Sequence, residues 1–96
     1  MAIGAIFEAP NVTQAQYEQV RQHVMPNNRP AQGLLYHSAG PLENGGWCVF
    51  EVWESHEAVD RFFKEKLGQA LQQANINVQP RFFEVQNTIE RSPVRR

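Results

Sequence analysis

Two stretches of the chain place apolar residues at helical spacing. In the first, Tyr17, Val20 and Val24 recur three or four residues apart, which is the spacing of one helix face. Thr13 precedes them and is followed three residues later by a glutamine, the capping-box pattern of a helix start. The segment MPNNRP, with its two prolines, then ends the helix.

The second helical stretch has the longer apolar stripe. Ser55 is a good N-cap residue. The apolar residues that follow on one face are Val59, Phe62, Phe63, Leu67, Ala70, Leu71 and Ala74. Gly68 lies inside this helix at a cost of about 1 kcal/mol relative to alanine, so we expect a kink or a close packing contact there.

Four other stretches are short, rich in β-branched or aromatic residues and bounded by turn residues, which predicts strands. They are residues 2–8, 32–39, 47–53 and 81–89. The resulting order, β-α-β-β-α-β, predicts an α+β ferredoxin-like fold, with both helices on one face of a four-stranded antiparallel sheet. We expect one domain over residues 1–90 and a flexible basic tail at 91–96.

Both faces of the predicted third strand are apolar. Alternation places Cys48, Phe50 and Val52 on one face, and Trp47, Val49, Glu51 and Trp53 on the other. A sheet with one face in water shows a cleaner alternation of apolar and polar residues. We therefore expect a homodimer in which the sheets of two copies cover each other by two-fold symmetry.

Composition and charge narrow the classes of partner. The 96 residues carry nine Lys and Arg against ten Asp and Glu, a formal charge of −1, which gives no support for nucleic-acid binding. No apolar stretch is long enough for a membrane span, and no export signal is present. Cys48 is the only cysteine, which suits a reducing compartment, and we expect a cytoplasmic protein.

Between a curved sheet and its helix layer, a cavity is the natural place for a ligand. His37, in the second strand, is either a general base or a hydrogen-bonded packing residue. Trp47 and Trp53 line a pocket, the core or the dimer interface. Glu51 shares their face and needs water, a ligand or a cationic partner, for which Arg81 is a candidate.

The sequence indicates neither a metal nor a bound cofactor. Its three histidines, at positions 23, 37 and 56, form no pair at metal-ligand spacing. There is no Walker-type loop, GxGxxG or GxSxG motif, and a hairpin turn accounts for Gly45 and Gly46.

The whole pattern, over residues 2–90, resembles the dimeric α+β barrel superfamily and in particular the antibiotic biosynthesis monooxygenase family. The segments that carry the resemblance are GLLYH at 33–37, GP at 40–41, GGW at 45–47, and VWES at 52–55, followed by Phe62 and Leu67. The resemblance implies a homodimer with one small-molecule pocket in each subunit. It also implies cofactor-independent oxygenation of polycyclic phenols or quinols, or haem degradation, as candidate activities.

Departures from the family's patterns disfavour haem degradation. The haem-degrading branch has an asparagine on the first strand, a tryptophan in the second helix and a later histidine. Here the first strand has no asparagine, Phe62 replaces the tryptophan, and no histidine follows His56. Many monooxygenase-like members have a histidine in the second helix, and this chain has FFKEK there, which weakens the oxygenase assignment too.

Two interpretations therefore stay open. In the first, the protein binds an apolar or aromatic small molecule and oxidises a phenol or quinol without a cofactor. His37 is then the base, and Trp47, Glu51, Trp53 and Phe62 contact the substrate. In the second, the chain is a non-catalytic ligand-binding or dimerisation module.

Overall fold

The computed structural model describes residues 1–91, and the predicted basic tail lies outside them except for Arg91. The strands are β1 (Ile3–Ala9), β2 (Leu34–Pro41), β3 (Trp47–Trp53) and β4 (Arg81–Glu84). Helix α1 (Gln14–Val24) is followed by a 3₁₀ turn at Pro26–Asn28. A second helix, α2, covers residues 56–73 in three consecutive segments: His56–Phe62, Phe63–Leu67 and Gly68–Gln73.

Both predicted helix starts are confirmed. The Thr13 hydroxyl accepts a hydrogen bond from the Gln16 backbone N–H at 3.1 Å, and the Thr13 backbone N–H donates to the Gln16 side chain at 3.0 Å. At α2, the Ser55 hydroxyl accepts from the Ala58 N–H at 3.1 Å. These side chains satisfy backbone donors that have no partner within their own helix.

The irregularity expected at Gly68 is present. The middle segment of α2, Phe63–Leu67, is a π-helical turn, and Gly68 follows it directly. A Cβ on Gly68 would lie 3.0 Å from the Phe63 carbonyl oxygen, so the absence of a side chain permits the close turn.

The sheet is antiparallel, with strand order β2-β3-β1-β4. Helix α1 connects β1 to β2, and helix α2 connects β3 to β4. Both helices pack on the same face of the sheet, which gives the predicted α+β ferredoxin-like architecture. In the register, Ile3 lies opposite Trp53, Ala5 opposite Glu51 and Phe7 opposite Val49. Residues directly opposite share a face, so these side chains all point towards the helices.

The core lies between this sheet face and the two helices. Ala5 and Trp53 have no exposed surface, and Val59 of α2 is 1% exposed. The Trp53 ring packs against Phe62, with ring centroids 5.0 Å apart. Trp53 therefore belongs to the core, one of the three locations that the sequence left open.

No helix among the described residues lies over the other sheet face, which we call the open face. Phe50 stacks on Phe83 and contacts Tyr36, with ring centroids 6.4 and 5.9 Å apart. Tyr36 and Phe83 are 53% and 45% exposed, which makes this an apolar, aromatic surface. The alternation predicted for β3 is confirmed, with Cys48, Phe50 and Val52 on this face.

Two strands differ from what turn residues and simple alternation predict. β4 ends at Glu84, five residues earlier than predicted, because Glu84 already pairs with Ile3, the first residue of β1. In β2, a bulge lies between Leu34 and Tyr36, so Leu34 shares the helix-facing side with His37. Leu35, the extra residue, is 58% exposed.

No helix within residues 1–91 is both long and apolar enough to cross a membrane.

Candidate active site

A chain of hydrogen bonds runs across the helix-facing side of the sheet. His37 Nδ1 lies 2.7 Å from Glu51 Oε2, and His37 Nε2 lies 2.7 Å from the Tyr17 hydroxyl. The other carboxylate oxygen, Glu51 Oε1, accepts a hydrogen bond from Trp53 Nε1 at 3.0 Å. We call Tyr17, His37 and Glu51 the relay.

The strand register explains how the relay forms. His37 of β2 lies directly opposite Glu51 of β3, so their side chains leave the sheet side by side. Trp53 is two residues beyond Glu51 and points the same way. Tyr17, in the second turn of α1, reaches down to His37 from the helix layer.

Glu51 is a buried carboxylate, 3% exposed. An unpaired charge at this position would be expensive, and here His37 and Trp53 supply the hydrogen bonds that it needs. The prediction that Arg81 is the partner of Glu51 is wrong. Arg81 lies opposite Ile6 on the open face, where it bonds Glu8 at 2.8 Å.

The chemistry of the groups sets the direction of the hydrogen bonds. A carboxylate only accepts, so His37 Nδ1 carries the proton that it shares with Glu51. In the neutral imidazole, Nε2 then accepts the hydrogen of the Tyr17 hydroxyl. The arrangement is that of a hydroxyl, a histidine and a carboxylate in series, in which the histidine takes a proton and the carboxylate stabilises the resulting charge.

Burial raises the pKa of the Tyr17 hydroxyl above its ordinary value of 10.0. The negative charges of Glu51 and Glu18 act in the same direction, and the Arg21 guanidinium opposes them. Tyr17 therefore stays protonated across the physiological pH range and is available as a hydrogen-bond donor.

The relay borders an apolar cavity between α1, α2 and the sheet. Its volume is about 80 Å³ and its wall is almost entirely apolar, with Tyr17, His37 and Glu51 among the residues that line it. The rest of the wall is mainly aliphatic and aromatic, and includes Phe7, Val20, Val24, Val49, Phe62, Leu67, Leu71, Ile76 and Val78. A cavity of roughly 150 Å³ admits benzene, so an aromatic ligand must widen this one or fill it only in part.

A second hollow, of about 500 Å³, lies on the outer side of the same side chains. Four residues border both spaces: Tyr17, Arg21, Met25 and His37.

The structure brings four of the five predicted site residues to the cavity. His37, Trp47, Glu51 and Phe62 line it. Trp53 does not, and instead holds the Glu51 carboxylate from within the core. Trp47 packs beside Tyr17, with ring centroids 5.4 Å apart.

Sequence reasoning missed Tyr17 and Arg21 as cavity residues. Tyr17 was predicted only as part of the apolar face of α1. The available signal was a hydroxyl on that face, since a buried tyrosine needs a hydrogen-bond partner. Among residues 1–91, no group of three or more His, Cys, Asp or Glu side chains is placed to hold a metal ion.

No family model matches the chain, and no curated protein matches it either. Solved structures match over nearly its whole length. Protein Rv0793 from Mycobacterium tuberculosis is 12% identical, with a TM-score of 0.73, and the match covers 94% of this chain and 100% of that one.

Two further matches are described as oxygenases. SnoaB, a cofactor-independent oxygenase from Streptomyces nogalater, is 13% identical with a TM-score of 0.67, covering 94% of this chain and 97% of its own. A monooxygenase from the gene ActVA-Orf6 of Streptomyces coelicolor, solved with Nanaomycin D, is 17% identical with a TM-score of 0.64, covering 95% and 93%. At these identities the likeness shows the fold, and the predicted resemblance to antibiotic biosynthesis monooxygenase-like proteins is confirmed at that level.

Proposed function

We propose that this chain binds a small aromatic molecule with a phenolic hydroxyl in the apolar cavity and oxidises it with O₂, without a cofactor. The observation that carries the proposal is the relay at the cavity wall, where His37 is bonded to Tyr17 on one side and to Glu51 on the other. The fold shared with a cofactor-independent oxygenase is consistent with this activity.

The relay supplies the base that such a reaction needs. A phenol becomes a much stronger reductant of O₂ once it has lost its proton, so the protein's task is to remove that proton away from water. Both nitrogens of His37 are already bonded, so the ligand's proton reaches it through Tyr17. The Tyr17 oxygen takes the ligand proton while its own proton moves to His37 Nε2, and the Glu51 carboxylate balances the imidazolium charge.

The first prediction concerns the reaction itself. We expect the purified protein to consume O₂ faster than the protein-free control with 2-methylhydroquinone or 1,4-dihydroxynaphthalene, and to consume none with their dimethyl ethers. Because the cavity is about 80 Å³, the one-ring probe should be the better substrate. An oxygen electrode measures the rate, and mass spectrometry after reaction under ¹⁸O₂ shows whether oxygen enters the product.

Binding without oxygen consumption would favour the second function, a non-catalytic ligand-binding module. The observation that favours this alternative is the closed state of the relay, in which both His37 nitrogens have partners within the chain. Calorimetric titration with the free phenols and with their dimethyl ethers measures binding, and the oxygen electrode measures O₂ consumption. A binding module binds the phenols and consumes no O₂.

We also propose that the working form is a homodimer assembled through the open face, in the cytoplasm as the single cysteine suggests. Ile6, Phe50 and Val52 form an apolar strip there, and the partly exposed Tyr36 and Phe83 rings flank it. Two copies related by a two-fold axis would remove this surface from water.

The second prediction tests this interface. Phe50→Asp should convert the dimer to a monomer, raising its dissociation constant by about 100-fold or more, because a carboxylate would be buried without a partner. Gln69→Asp adds the same charge on the exposed side of α2 and should leave the dimer intact. Native mass spectrometry at one protein concentration reports the subunit count, and a wild-type monomer would contradict the assembly.

A further inference from the structure

One buried polar atom at the cavity has no role in the relay. Trp47 lines the cavity at the start of β3, and its indole Nε1 is buried without a hydrogen-bond partner among residues 1–91. Trp53, the other tryptophan, donates its Nε1–H to Glu51. Buried donors are almost always paired, so an unpaired one at a cavity wall indicates a partner that the chain itself does not provide.

The groups around Trp47 define what that partner must be. Both ring nitrogens of His37 are bonded, and each Glu51 oxygen accepts one hydrogen bond, from His37 or from Trp53. The Tyr17 hydroxyl donates to His37, which leaves its oxygen lone pairs as acceptors. Tyr17 and Trp47 are neighbours, with ring centroids 5.4 Å apart. Tyr17 therefore offers an acceptor and Trp47 a donor at neighbouring positions of the cavity wall, a combination that a hydroxyl group satisfies.

We propose that Trp47 Nε1 donates a hydrogen bond to the ligand's hydroxyl oxygen, which itself donates to Tyr17, so that the site selects acidic aromatic hydroxyls. This assignment rests on the proposed function, because it places the ligand in the relay cavity. It adds the group that stabilises the negative charge once the proton has left. A donor aimed at an oxygen that becomes charged is worth more in an apolar cavity than in water.

The step balances within the named groups. The ligand O–H bond breaks and its proton joins the Tyr17 oxygen, while the Tyr17 proton forms the new N–H bond at His37 Nε2. The electron pair stays on the ligand oxygen, which becomes a phenolate held by the Trp47 N–H. The Glu51 carboxylate, 2.7 Å from His37, faces the new imidazolium charge.

A matched pair of probes tests the assignment without any turnover. 4-Nitrophenol carries the ionisable hydroxyl and absorbs visible light as its phenolate, while nitrobenzene has the same ring and nitro group without the hydroxyl. Each is titrated into the wild-type protein and into Trp47→Phe, above the pKa of 4-nitrophenol. We expect Trp47→Phe to weaken nitrophenolate binding by about 10- to 100-fold, the usual loss for a hydrogen bond to a charged group. Nitrobenzene should bind both proteins within about threefold.

Two results would overturn the assignment. If Trp47→Phe weakens the binding of both probes equally, Trp47 acts only as a packing surface. If it weakens neither, the indole N–H donates its hydrogen bond to water and not to the ligand. Gln69→Ala, on the exposed side of α2, is the control and should change neither affinity. Failure of the proposed function is distinguishable. If nitrophenolate depends on Trp47 while no phenol promotes O₂ consumption, the oxidation is wrong and the recognition stands; if wild type binds neither probe, both are wrong.

Discussion

Replacing His37 by alanine is expected to lower the rate of O₂ consumption by about 10²- to 10⁴-fold, the usual loss when a general base is removed. The variant takes away the imidazole nitrogen that lies 2.7 Å from the Tyr17 hydroxyl and is positioned to receive its proton. It also leaves the buried Glu51 carboxylate with Trp53 as its remaining partner. The measurement is the initial rate with the best phenol of the panel, after subtraction of the protein-free rate.

A second variant separates loss of the base from loss of structure. His37→Gln keeps an amide that donates and accepts hydrogen bonds and cannot take a proton. It should lose turnover as His37→Ala does, while unfolding closer to the wild-type protein in urea. His56→Ala is the matched control, because His56 is an exposed histidine outside the cavity, where it contacts Asp60 at 3.3 Å and the Phe82 ring.

The same variants should leave the subunit count unchanged, since His37 points towards the helices and the proposed interface is on the open face. Turnover retained by both His37 variants would remove this residue from the mechanism. A drop with His56→Ala of similar size would point to a general loss of stability instead.

Local sequence signals predicted the framework of the molecule. The capping residues Thr13 and Ser55 mark both helix starts because their hydroxyls satisfy nearby backbone donors, an interaction contained within four residues. Alternation alone predicted which residues of β3 lie on each face of the sheet. It correctly assigned Glu51 and Trp53 to the same face.

Register between distant strands is not a local property, and the errors arise there. Glu51 was given Arg81 as a candidate partner, but pairing places Ala5 opposite Glu51 and Ile6 opposite Arg81, on opposite faces. A shift of one residue reverses the face of every side chain in a strand. The bulge at Leu35 shifts the register of β2 by one residue, so Leu34 lies on the opposite side from the one that strict alternation would give it.

The candidate site was predicted in part. His37 was recognised as a possible base, Trp47 as a possible pocket residue and Glu51 as a carboxylate that needs a partner. Tyr17 was not recognised as a site residue, because an aromatic residue at helical spacing has the same sequence pattern as an ordinary core residue. Its contact with His37 joins residues 20 positions apart and depends on how α1 sits over the sheet.

The turn between β2 and β3 contains two glycines for which alanine should have very different effects. Gly46 has φ +92°, and a Cβ there would lie 2.4 Å from the Ala9 carbonyl oxygen and 2.5 Å from the Pro10 Cα. Gly45 has a similar φ of +96° and no atom within 4 Å of the same position. The backbone conformation strains alanine at both sites, and only at Gly46 does β1 stand in the way.

We therefore expect Gly46→Ala to lower the free energy of unfolding by about 3–5 kcal/mol and Gly45→Ala by about 1–2 kcal/mol. The obstacle at Gly46 is backbone, which cannot swing aside as a side chain does. The clash is relieved only if the end of β1 moves away from β3, which breaks the pairing of Ala9 with Trp47. Urea unfolding at a fixed protein concentration measures both variants, with a slope of about 1–3 kcal/mol per molar urea. Equal losses would mean that the positive φ alone sets the cost and that β1 yields at this turn.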